Sequence, residues 1–260
     1  MNSFKKSLIF ITIFSVFIIL IHQSNFYNEK VLIDSLGGVP WLYSSLMILF
    51  SILSGFIIQR QLENWDNLVD SVKREVDSLR ELFLWSRYLP EEYKQGLSRS
   101  IKYYIKEMIE GGLVRGEKGK KSGRIELAFT ALQAVIFDMS QKDQKFISTT
   151  FSFFSRIMEA RTNRLLYSFH SIPQILKNAF LFCTFLVITL CLFIGIENIW
   201  LDYIFTLSVS LMAYIIYIIV DDLDTPLVVG SWHLTTGDYD HLLKQIENIE
   251  ATEAVTTNEA

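Results

Sequence analysis

The sequence is short of the residues that build metal centres, disulfide frameworks and catalytic sites. Its four histidines, His22, His170, His233 and His241, lie far apart, with no His-Glu-x-x-His spacing and no Cys-x-x-Cys pair. The familiar motifs of a metal centre are therefore missing. A Gly-x-Ser-x-Gly elbow, a phosphate-cradling glycine loop ending in Lys and Ser or Thr, and a dinucleotide fingerprint are missing too, so an enzyme is not expected. Only two cysteines occur, Cys183 and Cys191, both within one apolar run. Eight residues along a helix rise about 12 Å, beyond disulfide reach. They read as small core hydrophobes and carry no information on redox compartment. The formal charge is only −4 and no basic cluster has interleaved aromatics, so nucleic acid is not an expected partner.

What the chain has instead is apolar bulk. Half of its 260 residues are hydrophobic, Phe (20) outnumbers Gly (12), and the mean hydropathy is positive, which is the composition of a membrane protein. Four runs are long and apolar enough to cross a bilayer. Residues 7–21 and 41–59 form a first hairpin within residues 1–60; residues 178–196 and 203–220 form a second within 176–220, joined by a polar turn around Glu197, Asn198 and Asp202. The Lys5-Lys6 start and 15-residue apolar stretch of the first run also fit a secretory signal. No small-x-small site follows it, and His22, Gln23, Asn25, Phe26 and Tyr27 are poor cleavage-site residues, so a retained span is expected.

Orientation follows the basic residues. Residues 60–175 hold 19 of the 24 Lys and Arg, the loop 22–40 holds only Lys30, and the turn between the last two spans holds none. The middle segment, 61–175, is thus expected on the cytoplasmic side, with Lys5 and Lys6 placing the N-terminus there and an even number of spans returning the C-terminus. The tail, 221–260, is acidic, with nine Asp and Glu against Lys244, and an amphipathic helix is expected at about 238–250. Acidic residues count little toward topology.

The middle segment reads as helices throughout. Leu62, Trp65, Val69, Val72, Val76, Leu79 and Phe83 alternate by three and four residues, a seam that requires a helical partner, either in a bundle within one subunit or in a coiled coil between subunits. Leu89-Pro90 stops that helix. A second helix, about 91–110, gathers Leu97, Ile101, Tyr104, Ile105 and Met108 on one side. Residues 111–124, with five glycines and five basic residues, read as a mobile loop whose charge either is simply solvated or meets an anionic leaflet. Helices at about 125–139 and 142–170 return the chain to the membrane at Pro173. The fold class is all-α: four transmembrane helices and a cytoplasmic helical bundle, with the lipid bilayer as a partner.

Against this frame, Gly55-Phe56-Ile57-Ile58-Gln59-Arg60 followed by Trp65 resembles the bestrophin pore helix, in which a Gly-Phe pair precedes a Trp by the same interval. Glu75 and Leu79, Leu89-Pro90, Tyr103 or Tyr104 with Glu107, Arg161 and Arg164-Leu165, Ile172-Pro173 and Asp224-Thr225-Pro226 are similar, in the same order, to the bacterial bestrophin-like family. The resemblance implies a bestrophin-type fold in a bacterial inner membrane, and a homopentamer that conducts anions and is opened by calcium. It also implies that Ile48, Ile52 and Phe56, one turn apart along the second span, ring an apolar neck closed by dewetting, with Ser44, Ser45, Ser51 and Ser54 as the polar atoms of the pore. The calcium expectation meets a departure, since Asp221, Asp222 and Asp224 precede Pro226 and the apolar Leu227-Val228-Val229 follows it. Acids at a helix C-terminus oppose its dipole; they are expected to pair with Arg161 or Arg164 or to hold a cation. A membrane-anchored scaffold or sensor, with the serines and Gly55 serving helix packing, remains the alternative to a channel.

The charge distribution makes a topology prediction. Compartment-sensitive reporters fused at Gly112 and at Ala260 should both be active in the cytoplasm. Periplasmic signal from either overturns the four-span arrangement.

Overall fold

In the computed structural model of the chain, the described residues are 12–16, 20, 31–32, 39–111, 120–142, 146–169, 172–195, 198–224 and 234–258. Among them seven long helices run in sequence: α1 (Val39–Ser86), α2 (Glu91–Gly111), α3 (Lys120–Lys142), α4 (Ile147–Ser168), α5 (Gln174–Phe193), α6 (Ile199–Asp224) and α7 (Gly237–Asn258). The described strand structure is one two-residue parallel bridge, β1 (Val31–Leu32) on β2 (Ile194–Gly195). The all-α reading holds. The chain divides into two compact units, Met1–Asn64 with Ser171–Trp232 and Trp65–His170 with His233–Ala260.

In the first unit three helices are long and apolar enough to span a membrane, within Trp41–Ser86, Gln174–Leu192 and Ile199–Asp224. They match the expected runs at 41–59, 178–196 and 203–220. The run at 7–21 lies largely outside the described residues; 12–16 are helical, and Phe14 is buried. The core of the unit gathers Phe50 and Ile57 of α1, Phe180 and Val187 of α5, and Ala213 and Val220 of α6, with Ile172 just ahead of α5. Phe50 and Phe180 stack with ring centroids 5.8 Å apart. Pro173 starts α5 by accepting from the N–H groups of Leu176 and Lys177, and Asn198 caps α6 by accepting from Trp200 and Leu201.

The second unit is a five-helix bundle. Val72, Val76, Leu79 and Phe83 of α1 pack with Ile101 and Tyr104 of α2, Phe129 and Leu132 of α3, Phe154 and Ile157 of α4, and Tyr239, Leu242 and Ile246 of α7. From Val72 onward the seam of α1 is therefore satisfied within one chain, as a bundle stripe. Pro90 separates α1 from α2 by accepting from Tyr93 and Lys94. The expected loop 111–124 is shorter than its composition suggests, because α3 begins at Lys120; residues 112–119 lie outside the described set. Arg124 turns the start of α3 inward by pairing with Glu107 and Glu110 of α2. Gly111 then matters, since a Cβ there would stand 2.8 Å from Ile125 Cδ1.

The amphipathic helix expected in the acidic tail is present as α7 and packs into the bundle. It runs to Asn258 rather than ending near residue 250, and its carboxylates form a ladder against the bundle: Glu247 with Lys106, Glu250 with Lys102, and Glu253 with Arg87 and Lys94. Burial opposes ionisation of Glu250 and Glu253. The hydrogen bonds from Lys102 and Ser98 to the first, and from Arg87 and Lys94 to the second, outweigh it and hold both below the usual carboxylate range. A lowered folded pKa stabilises above the unfolded value of about 4.3 and is lost as pH falls through the folded value. Protection of α7 from proteolysis should accordingly persist from neutral pH to about 5 and decline below about 4. Unchanged protection at pH 3 would show that the ladder does not hold α7.

Candidate functional site

Three groups of residues carry the chemistry, and each lies within one unit. The first is the free face of α1. Helical periodicity places Tyr43, Met47, Phe50, Ser54 and Ile57 on the side packed against the unit's core. Ile48, Ile52 and Phe56 project from the opposite side and are 60%, 51% and 72% exposed in the single chain. Ser45 lies on their line, and Ser44 and Ser51 flank it; all three are exposed. Ser54 differs, being buried with its hydroxyl donating to the Phe50 carbonyl. A Cβ on Gly55 would meet nothing within 4 Å, so packing within this chain does not require glycine there.

The second group is a buried polar knot in the bundle. Glu75 of α1 is fully buried; its Oε2 accepts from Arg164 Nε of α4 at 2.8 Å and its Oε1 from Tyr104 Oη of α2 at 2.5 Å. Tyr239 of α7 is enclosed beside the same carboxylate. Burial, then the Glu75 charge, pushes both phenols well up, so they stay neutral. Burial disfavours the Arg164 cation, but the adjacent Glu75 outweighs it and keeps the guanidinium charged. Sequence reading singled out Glu75, Tyr104 and Arg164 as separate landmarks; that they meet at one carboxylate was not visible, because 89 residues separate Glu75 from Arg164.

The third group closes the base of the α5–α6 hairpin. Lys177 Nζ lies 3.4 Å from Asp221 and 3.0 Å from Asp224, and the other Asp224 oxygen accepts the Ile172 N–H at 2.7 Å. Within this unit Lys177 is thus a cation beside Asp221 and Asp224 that the sequence reading did not name. Arg161 sits over the Phe129 ring and pairs with Glu126, Arg164 pairs with Glu75, and Lys177 is the cation among the aspartates. A calcium ion fits these residues poorly: an ammonium already bridges two of the carboxylates, and Asp224 is half committed to a backbone donor. Among the described residues no three His, Cys, Asp or Glu converge as a metal site.

Long apolar helices in one unit and a polar-pinned helical bundle in the other define a multi-pass, all-helical membrane protein. More narrowly, residues 38–228 match the model of the bestrophin-like domain, and the chain belongs to the bestrophin-like family. A bacterial bestrophin homolog from Klebsiella pneumoniae has the same fold, with a TM-score of 0.74 at 12% identity over 95% of this chain and 98% of that one. A point variant of that homolog gives 0.72 at 11% identity over 94% and 97%. A further membrane-protein structure gives 0.73 at 11% identity over 95% and 98%. At such identities the likeness is one of fold. No curated protein matches the sequence significantly.

The polar knot makes a stability prediction. Arg164→Ala strands a buried carboxylate and should cost about 3–5 kcal/mol, whereas Glu75→Leu combined with Arg164→Met should cost less than Arg164→Ala alone. Thermal unfolding of the solubilised protein measures both. A double variant as unstable as Arg164→Ala would show that charge compensation is not what the pair supplies.

Proposed function

We propose that the protein is an oligomeric ion channel, conducting anions, in which the free faces of α1 from several subunits surround a common axis. Its neck is the line of Ile48, Ile52 and Phe56. The observation that carries this reading is the disposition of α1: one side is committed to the subunit's own core, and the opposite side presents an unbroken apolar line. Membership of the bestrophin-like family supports it, and resemblance to true bestrophins supplies the number five for the assembly. Rings of apolar side chains a few ångströms apart hold no stable water, so the pore is shut by dewetting until the ring widens. Ser51 flanks the neck with an exposed hydroxyl, and Ser44 and Ser45 lie one turn beyond Ile48, the Ser45 hydroxyl donating to the Trp41 carbonyl at 2.8 Å and so having to release it to meet an anion. The N- and C-termini face the bacterial cytoplasm in this arrangement. Calcium gating forms no part of it, given Lys177 among the aspartates.

Because Ile52 and Phe56 lie outside the subunit core, their truncation should not unfold the subunit. Ile52→Ala and Phe56→Ala are expected to keep the oligomer, as weighed by light scattering in detergent, and to raise chloride flux into liposomes sharply over the parent. Replacing chloride by a large organic anion should abolish that flux. Flux equal to that of protein-free liposomes in the parent and both variants, with the oligomer intact, would remove the channel and leave a membrane-anchored scaffold; a monomer at every concentration would do the same.

A further inference from the structure

The membrane-spanning unit encloses hydroxyls that satisfy nothing. Thr206 Oγ1 and Ser210 Oγ, on residues 1% and 0% exposed, have no hydrogen-bond partner, and Tyr43 Oη of α1 is a third enclosed hydroxyl, with only the weakly bonding thiol of Cys191 beside it. Neighbouring hydroxyls behave differently. Ser54 and Thr184 donate to the carbonyls of Phe50 and Phe180, four residues back, at 2.6 and 2.8 Å. That is the ordinary refuge of Ser and Thr in an apolar helix. Thr206 and Ser210 do not take it, although a buried polar group left unpaired is costly and calls for a partner such as water.

Their placement is regular. Asp202, Thr206 and Ser210 recur every four residues on one face of α6, and Asp202 is also fully buried. The same face continues as Ala213 and Val220, which belong to the apolar core with Phe50, Ile57 and Phe180. Toward the turn the face is polar; away from it the face is apolar, and the stacked Phe50 and Phe180 rings fill the core. Tyr43 stands seven residues before Phe50 and Thr206 seven before Ala213, so each lies about 10 Å up its helix from that core. Successive oxygens along Asp202, Thr206 and Ser210 are spaced by about 6 Å of helix rise, twice the roughly 2.8 Å of an O–H···O bond. One water between each pair therefore serves both neighbours.

We propose that the turn half of the α5–α6 hairpin, closed on one side by α1, is a water-filled inlet within each subunit. A short file of water runs from the Asp202 carboxylate past Thr206 and Tyr43 to Ser210 and ends on the Phe50–Phe180 stack. Its ligand is water, held by hydroxyls and a carboxylate. The inlet is distinct from the neck face of α1, because Phe50 and the line of Ile48, Ile52 and Phe56 occupy opposite sides of that helix, and it does not depend on whether the protein conducts.

The test uses the full-length oligomer in nanodiscs. In a Cys183→Ala, Cys191→Ala background, single changes Thr206→Cys, Ser210→Cys and Ala213→Cys are exposed to a small cationic methanethiosulfonate. The cysteines at 206 and 210 should react roughly tenfold faster than that at 213, which lies in the dry core. A separate Thr206→Val change keeps side-chain shape and removes the hydroxyl. If water bridges Thr206, its Tm falls; if the hydroxyl is dry and unpaired, removing it raises Tm. Cysteines at 206 and 210 no more reactive than that at 213, or a Tm for Thr206→Val that holds or rises, overturns the inlet.

Discussion

The bundle depends on one carboxylate. Glu75 is carried by α1, and its two oxygens are taken by α4 through Arg164 and by α2 through Tyr104, while α7 lays Tyr239 beside it. An unpaired charge at full burial is intolerable, so these helices are constrained to the one arrangement that meets it. Apolar packing around Leu79, Ile101 and Leu132 supplies the bulk of the stabilisation but is tolerant of small slips. The ion pair is not: a one-residue shift of any of the four helices takes its contributing group away from Glu75.

The membrane unit obeys a different constraint. Lipid offers no hydrogen bonds, so continuous helices are required and side-chain polar atoms must find partners within reach. Ser54 and Thr184 do so on their own helices. Lys177, Asp221 and Asp224 do so across the base of the hairpin, where the Lys ammonium and the Ile172 N–H neutralise carboxylates that the helix dipole disfavours.

Much of this was legible in the sequence. Uninterrupted apolar runs located α5, α6 and the membrane stretch of α1, because length and absence of charge are properties of a single segment. The Leu89-Pro90 step marked the end of α1, and Pro173 the return to the membrane, for the same local reason. What was not legible is pairing over distance. The aspartates after the last span called for a partner, and the sequence reading named Arg161, Arg164 or a bound cation without considering Lys177, 47 residues before Asp224. The docking site of α7 was hidden as well. Tyr239, Leu242, Ile246 and Ile249 keep core spacing, which fits the amphipathic helix expected there, yet only the Lys and Arg of α1 and α2 facing its acids reveal where it docks. Within α6, the four-residue recurrence of Asp202, Thr206 and Ser210 was present all along, but its burial belongs to the folded hairpin.

The docking of α7 has a consequence for biosynthesis. The second unit is discontinuous: its first four helices leave the ribosome before the α5–α6 hairpin, and its fifth only afterwards. Until α7 has been synthesised, Leu242 and Ile246 are missing from the core and Tyr239 is missing from beside Glu75. The bundle must therefore wait, with apolar surface open, while the α5–α6 hairpin is made and enters the bilayer. Completion of the bundle's core thus follows synthesis of the hairpin, and a chain stalled within the hairpin carries an exposed greasy face that chaperones and proteases can recognise.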